Sequence, residues 1–162
     1  METNDTALFI DACRSGDLAQ VTNLLNAAPE LVNAADARGF TPLIMAVYSN
    51  QLSVVGYLLQ HGADVNAQDA AGNTALMGAS FKGYGEATAL LLKSGADVNL
   101  LNSQGSSALA FAAMFGQTEM AKLLLEAGAD VNVRDAKGKT PLDYAVSQNS
   151  EALIKLLQMH SV

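Results

Sequence analysis

The sequence predicts an all-α solenoid, with two antiparallel helices per 33-residue unit and hairpin-like loops between units. Three observations predict it. The pentapeptide GADVN stands at 62–66, 95–99 and 128–132. A polar marker keeps the same step at Asp36, Asp69, Asn102 and Asp135, each followed by a glycine: Gly39, Gly72, Gly105 and Gly138. A hydroxyl side chain comes two residues later, at Thr41, Thr74, Ser107 and Thr140. Unlike residue types held in one phase along a chain are the mark of stacked structural units.

Each element of the unit has a local cause. The Thr or Ser is a good helix N-cap, and Pro42 and Pro141 suit the first helical turn. A short helix follows, with a small residue at its centre: Ala46, Ala79, Ala112 and Ala145. Gly83 and Gly116 end it, with Asn50 and Asn149 in the same place; both residue types tolerate a left-handed backbone. A second helix then runs to paired leucines at 58–59, 91–92 and 124–125. The glycine of GADVN lies just past it, where a C-terminal left-handed cap is usual. The polar residues after it, as in "DVNAQDAAGN", form the connection to the next unit.

This pattern resembles the ankyrin repeat. The matching residues are Gly39, Thr41, Pro42, Leu43, Ala46, Leu58, Leu59 and Gly62 to Asn66, with their echoes one repeat on. The resemblance covers nearly the whole chain and implies a single domain, 1–162. Its five units run about 5–35, 36–68, 69–101, 102–134 and 135–162. After its leucine pair the first carries "NAAPELVN", one residue longer than the "QHGADVN" of its successor, and the last stops at "LIKLLQMHSV". Such degenerate ends are expected of capping units. The family commonly places a histidine just after Thr-Pro-Leu. Here those positions hold Ile44, Met77, Ala110 and Asp143, so apolar contact between repeats is expected to carry more of the stability.

Composition bounds the function. The chain has 162 residues, half of them apolar, 15% charged, with a net charge of −7. That disfavours disorder and a generic polyanion binder, since affinity for phosphate comes mostly from Lys and Arg. The single cysteine, Cys13, cannot pair within the chain, which fits a reducing compartment. The start, "METNDTALFIDACRSGD", has no basic region or long apolar run, and no stretch approaches the ~18 apolar residues of a membrane span. A cytoplasmic protein with no membrane association is expected.

Catalytic and metal chemistry find little support. Residues 62–72, GADVNAQDAAG, have the oxygen density of a calcium loop. However, Asp69 stands where an EF-hand requires glycine, and the twelfth place is Ala75 rather than glutamate. Its acids are better read as turn formers. Cys13 has no base nearby, because His61 and His160 lie on distant elements, and it reads as a packed small side chain. "GKT" at 138–140 lacks the earlier glycine of a phosphate loop, since residue 133 is Val. No catalytic residue, cofactor or metal is expected.

The binding signal lies at positions the repeat does not dictate, on the first helices and loop tips. These positions hold no Asp or Glu and carry six of the chain's nine basic residues: Arg14, Arg38, Lys82, Arg134, Lys137 and Lys139. They also hold Phe40, Tyr48, Phe81, Leu101, Met114 and Phe115. Aromatic, Met and Arg side chains are enriched in interface cores. The expectation is a monomeric, non-catalytic module. It would dock a partner protein, with an acidic segment favoured, through Arg14, Arg38, Phe40, Tyr48, Phe81, Lys82, Leu101, Met114, Phe115, Arg134 and Lys137. The alternative is nucleotide or single-stranded nucleic-acid binding on the same face. The resemblance also implies that Asn66, Asn99 and Asn132 are of the kind that can be hydroxylated in animal ankyrin repeats.

Overall fold

The computed structural model describes residues 2–161. Contacts divide the chain after Ala75 into two compact units. The first holds α1 (Glu2–Ser15), α2 (Leu18–Ala27), a 3-10 turn (Pro29–Asn33), α3 (Pro42–Tyr48) and α4 (Leu52–Gln60). Helix α1 packs on α2 and α3, α3 on α4, and α2 on α4. The 3-10 turn absorbs the longer connection of the first repeat and buries Leu31 and Val32. Thr41 caps α3: its Oγ1 accepts the Ile44 N–H at 3.1 Å, with Pro42 opening the helix behind it. The core is Phe9, Leu43, Ile44, Val54 and Leu58, each almost wholly buried. Burying one such side chain is worth about 1.5–3 kcal/mol. Leu58 is sealed while its pair-mate Leu59 is only half-buried, so the two leucines are not equivalent.

The second unit holds nearly all of α5 (Ala75–Lys82), then α6 (Gly85–Lys93), α7 (Ala108–Met114), α8 (Thr118–Glu126), α9 (Pro141–Ser147) and α10 (Glu151–Met159). Helix α7 packs on α8 and α9, α9 on α10, and α8 on α6 and α10. Ser107 caps α7 by accepting the Ala110 N–H. Thr140 and Asp143 form a reciprocal capping box on α9, which gives Asp143 a local task at the position where the resemblance expects histidine. Leu91, Leu109, Leu124, Leu153 and Leu157 form the core. Among the described residues, extended pairing is an isolated bridge between Gln68 and Thr74. None of the described helices is long and apolar enough to cross a membrane.

Two recurring devices fix the loops. In the first, the marker carboxylate or amide closes the loop tip. Asp69 Oδ1 accepts the N–H groups of Ala71 and Asn73, both at 2.9 Å. Asp36 takes Arg38 and Phe40, Asn102 takes Gln104 and Ser106, and Asp135 takes Lys137 and Lys139 in the same way. Asp64 similarly holds the Asn66 N–H. The oxygens of residues 62–72 therefore hold up the chain.

In the second, the last asparagine of one connection ties to the next. Asn33 Nδ2 donates to the Gly62 carbonyl, and its Oδ1 accepts the Asp64 N–H at 2.8 Å. Asn99 repeats this with Gly128 and Asp130. The backbone turns left-handed where the sequence predicts it, at Asn50 and Asn149 (both φ 53°) and at Gly62 (φ 90°).

Candidate functional site

In the first unit the loop tip and α3 bring three predicted residues together. The Arg38 guanidinium lies 4.6 Å from the Phe40 ring centroid, and Phe40 meets Tyr48 edge-on at 6.1 Å. Arg38 also pairs with Asp36 at 3.3 Å. Burial opposes the charge on Asp36. The N–H groups of Phe40 and Arg38 and the Arg38 guanidinium outweigh it and hold the carboxyl below the usual range. Tyr48 is half-buried, and burial, reinforced by the charge of Asp69, pushes its hydroxyl pKa up. Arg14, on α1, forms an ion pair with Asp11. A shallow mixed-charge hollow of about 170 Å³ runs between them, lined by Asp11, Arg14, Asp36, Arg38 and Met45.

In the second unit the predicted aromatics also meet. Phe81, at the end of α5, and Phe115, which caps α7, pack edge-to-face with centroids 4.5 Å apart. Phe115 is 47% exposed. Such a pair is worth about 0.5–1.5 kcal/mol beyond its buried area, and an aromatic left this open is available to a partner. The Lys82 ammonium lies 5.9 Å from the Phe81 ring centroid. Met114, Phe111 and Tyr144 line a groove of about 230 Å³ together with the loop residues Lys137, Asn102 and Gln104. Leu101 is exposed on the loop. Arg134 is exposed and spends one donor on the Gly138 carbonyl at 2.8 Å.

Sequence reasoning missed three things. Tyr144 sits in the groove and hydrogen-bonds Asp135, while the Lys139 ammonium lies 5.5 Å from its ring centroid. The Asp135 carboxylate, then burial, pushes the Tyr144 pKa up to about 12. Arg14 and Arg38 are also matched by neighbouring acids, Asp11 and Asp36. Finally, glutamines clamp the helix turns. Gln51 donates to the Arg14 carbonyl, Gln117 to Phe81 and Gln148 to Met114.

The other candidates stay apart from these clusters. Cys13 is sealed in the core of α1, and burial pushes its thiol up to about 12. His61 stacks on Tyr57 at 3.9 Å, with its ring nitrogen 2.7 Å from the Tyr57 carbonyl. Asn99 spends its side-chain amide on the tie to Gly128 and Asp130.

The family model for ankyrin repeats (3 copies) matches residues 9–102 and 76–162. Ankyrin repeat domain-containing protein 49 of Bos taurus is 38% identical over 65 residues, which is 40% of this chain and 27% of that protein. DNA-binding protein RFXANK of Homo sapiens is 39% identical over 62 residues, 38% of this chain and 24% of that protein. The 2-5A-dependent ribonuclease of Mus musculus is 37% identical over 60 residues, 37% of this chain and 8% of that protein. The matched stretches thus span about a quarter or less of those relatives. The family model extends from α1 through the last helix, over repeats whose caps, turns and ties are the ones described above, and the chain belongs to the ankyrin-repeat family.

Proposed function

We propose that this chain is a non-catalytic binding module that docks a partner protein on its loop tips and first helices. Ankyrin repeats are in general protein–protein interaction modules, and that supports the class. The Phe81–Phe115 pair carries the assignment to this face, because it leaves Phe115 47% exposed beside Lys82 and the Met114–Tyr144 groove. Arg38, Phe40 and Tyr48 form a second aromatic cluster in the first unit, where Tyr48 is the repeat equivalent of Phe81. The preference for an acidic partner rests on Lys82, Arg134, Lys137 and Lys139 of the second unit, of which Lys137 acts on Asp135, and Arg134 and Lys139 on Asp143. Complementary charge there would speed encounter and select partners.

A photo-crosslinking residue at position 115, compared with one at position 61 just past α4, tests the reading. The same partner band is expected from position 115 and not from 61. Equal capture at both positions would contradict it. The nucleic-acid reading is weaker: the net charge is −7, and Arg14 and Arg38 already have carboxylate partners. A steep loss of binding with salt on single-stranded RNA would revive it.

A further inference from the structure

Met45, Gly78, Phe111 and Tyr144 stand 33 residues apart, at one position of the first helices. Phe111 and Tyr144 carry rings there, in consecutive repeats of the second unit. Met114 lies one turn on from Phe111, on the same side of α7. These three side chains are partly open to solvent and line the groove of about 230 Å³. Small-molecule sites hold about 300–1,000 Å³, so this groove is sized for a single large side chain. In the hollow of the first unit the corresponding helix residues are Asp11, Arg14 and Met45, with no ring among them. The apolar groove is therefore a property of the second unit.

The loop wall of the groove is fixed in place. The Ala136 N–H donates to the Gln104 carbonyl at 2.9 Å and joins two successive loop tips. Asp135 accepts the Lys137 and Lys139 N–H groups on one carboxylate oxygen and the Tyr144 hydroxyl on the other. Its oxygens are thereby satisfied within the protein. Two lining groups are left to meet a ligand. The exposed side-chain amide of Gln104 makes no hydrogen bond among the described residues. The Lys137 ammonium stands on an exposed residue, with the charge of Asp135 nearby. Around the groove the cations Arg134, Lys137 and Lys139 outnumber the carboxylates Asp135 and Asp143. A wall already held in shape costs little ordering on binding.

We propose that this groove seats one large apolar side chain from an extended segment of the partner protein, with a neighbouring carboxylate on Lys137 and the segment's backbone on Gln104. The proposal rests on the partner-docking reading above and names the chemistry recognised there. Each part follows from a lining group. Phe111, Met114 and the Tyr144 ring offer apolar surface, and a Leu, Met or Phe side chain gains most by covering it. A carboxamide presents a donor and an acceptor side by side, which match the N–H and C=O of a peptide backbone. A helix spends those groups internally, whereas an extended segment leaves them free. A carboxylate balances the excess of positive charge, and a basic segment would be repelled.

Phage-displayed random linear peptides, selected on the 162-residue chain, test this. The enriched sequences are expected to share a Leu, Met or Phe with an Asp or Glu beside it. A synthetic peptide of that consensus is then titrated by fluorescence anisotropy. It is expected to bind about tenfold more weakly to Ala136→Phe, which fills the groove from its exposed loop wall and removes no lining side chain. Lys137→Glu is expected to weaken binding at low salt and to flatten its salt dependence. Circular dichroism melting confirms folding, and Ala136→Met replaces the phenylalanine variant if that melts early. Selection that yields no such consensus, or a consensus peptide that binds Ala136→Phe as well as wild type, would overturn the proposal. Cellular partners keep the two readings apart. Partners lost with Phe81→Glu/Phe115→Glu but fully recovered by Ala136→Phe leave the docking face standing and overturn the groove as its anchor. Full recovery by both variants overturns both.

Discussion

The side-chain amide of Gln117 lies across Gly83 and donates to the Phe81 carbonyl at 3.3 Å. Gly83 has φ +76°, and a Cβ built on it falls 2.6 Å from Gln117 Oε1. The same pairing occurs between Gly16 and Gln51, where Gln51 holds the Arg14 carbonyl. Glycine thus suits these turns twice, once for the left-handed backbone, which asparagine also adopts at 50 and 149, and once because a Cβ would push the glutamine of the next repeat aside. Gly83→Ala is expected to lose about 1–3 kcal/mol from left-handed strain and the clash. Adding Gln117→Ala should recover the part due to the clash. Urea unfolding of the single and double variants measures both. Equal loss in the two would show that the glutamine does not constrain the glycine.

The asparagine ties give a prediction that separates like-looking residues. Asn99→Ala removes two hydrogen bonds, to Gly128 and Asp130, and is expected to cost about 0.5–2 kcal/mol. Asn33→Ala, which loses the tie to Gly62 and Asp64, should cost a similar amount. Asn132→Ala removes no such tie among the described residues and should stay within about 0.5 kcal/mol of the parent. The three melting curves decide it, and an equal penalty at Asn132 would sink the assignment.

Tyr144 should ionise late. Its hydrogen bond to Asp135 raises its pKa from 10 to about 12, because ionising the phenol would set two negative charges side by side. A raised folded-state pKa means that the stabilisation is fully present below pH 10 and fades as the pH climbs towards 12. Asp135 shifts the other way. Burial opposes its charge, but the Tyr144 hydroxyl and the N–H groups of Lys139 and Lys137 hold its pKa below the usual carboxylate value. Its contribution is present above that value and is lost on acidification. Ultraviolet titration of the phenols should show a late Tyr144 step that returns to the ordinary range in Asp135→Asn, while Tyr48, raised by burial and Asp69, does not follow it. An unchanged titration would contradict the hydrogen bond.

Cys13 is expected to resist a disulfide reagent in the native state at neutral pH, because the thiol is sealed and burial pushes its pKa up to about 12. In denaturant it should react at once. Fast labelling of the native protein would place the thiol at the surface and contradict the packing of α1.

The parts of the fold that depend on local backbone chemistry were legible in the sequence. Thr41, Ser107 and Thr140 cap helices because a hydroxyl beside orphan N–H groups does so wherever it stands. Asp36 and Asp69 close turns for the same reason. The site was less legible, because its chemistry depends on distances that the repeat phase does not report. Phe81 and Phe115 are 34 residues apart, one residue out of the repeat phase, yet the rings touch. Asp11 lies one helical turn before Arg14, and Asp36 two residues before Arg38, so both pairings were within reach of spacing rules. Tyr144 stands nine residues after the carboxylate that it meets, a separation that no helix or turn spacing rule connects.

The most direct measurement for a partner-binding face is quantitative affinity purification from the native cell with wild type and the Phe81→Glu/Phe115→Glu variant in parallel. A melting curve must first show that the variant is folded. The partners enriched by wild type are expected to fall at least about tenfold with the variant, the loss of one buried aromatic anchor at the centre of an interface. Undiminished recovery of the same partners by a folded variant would show that this face is not where the protein binds.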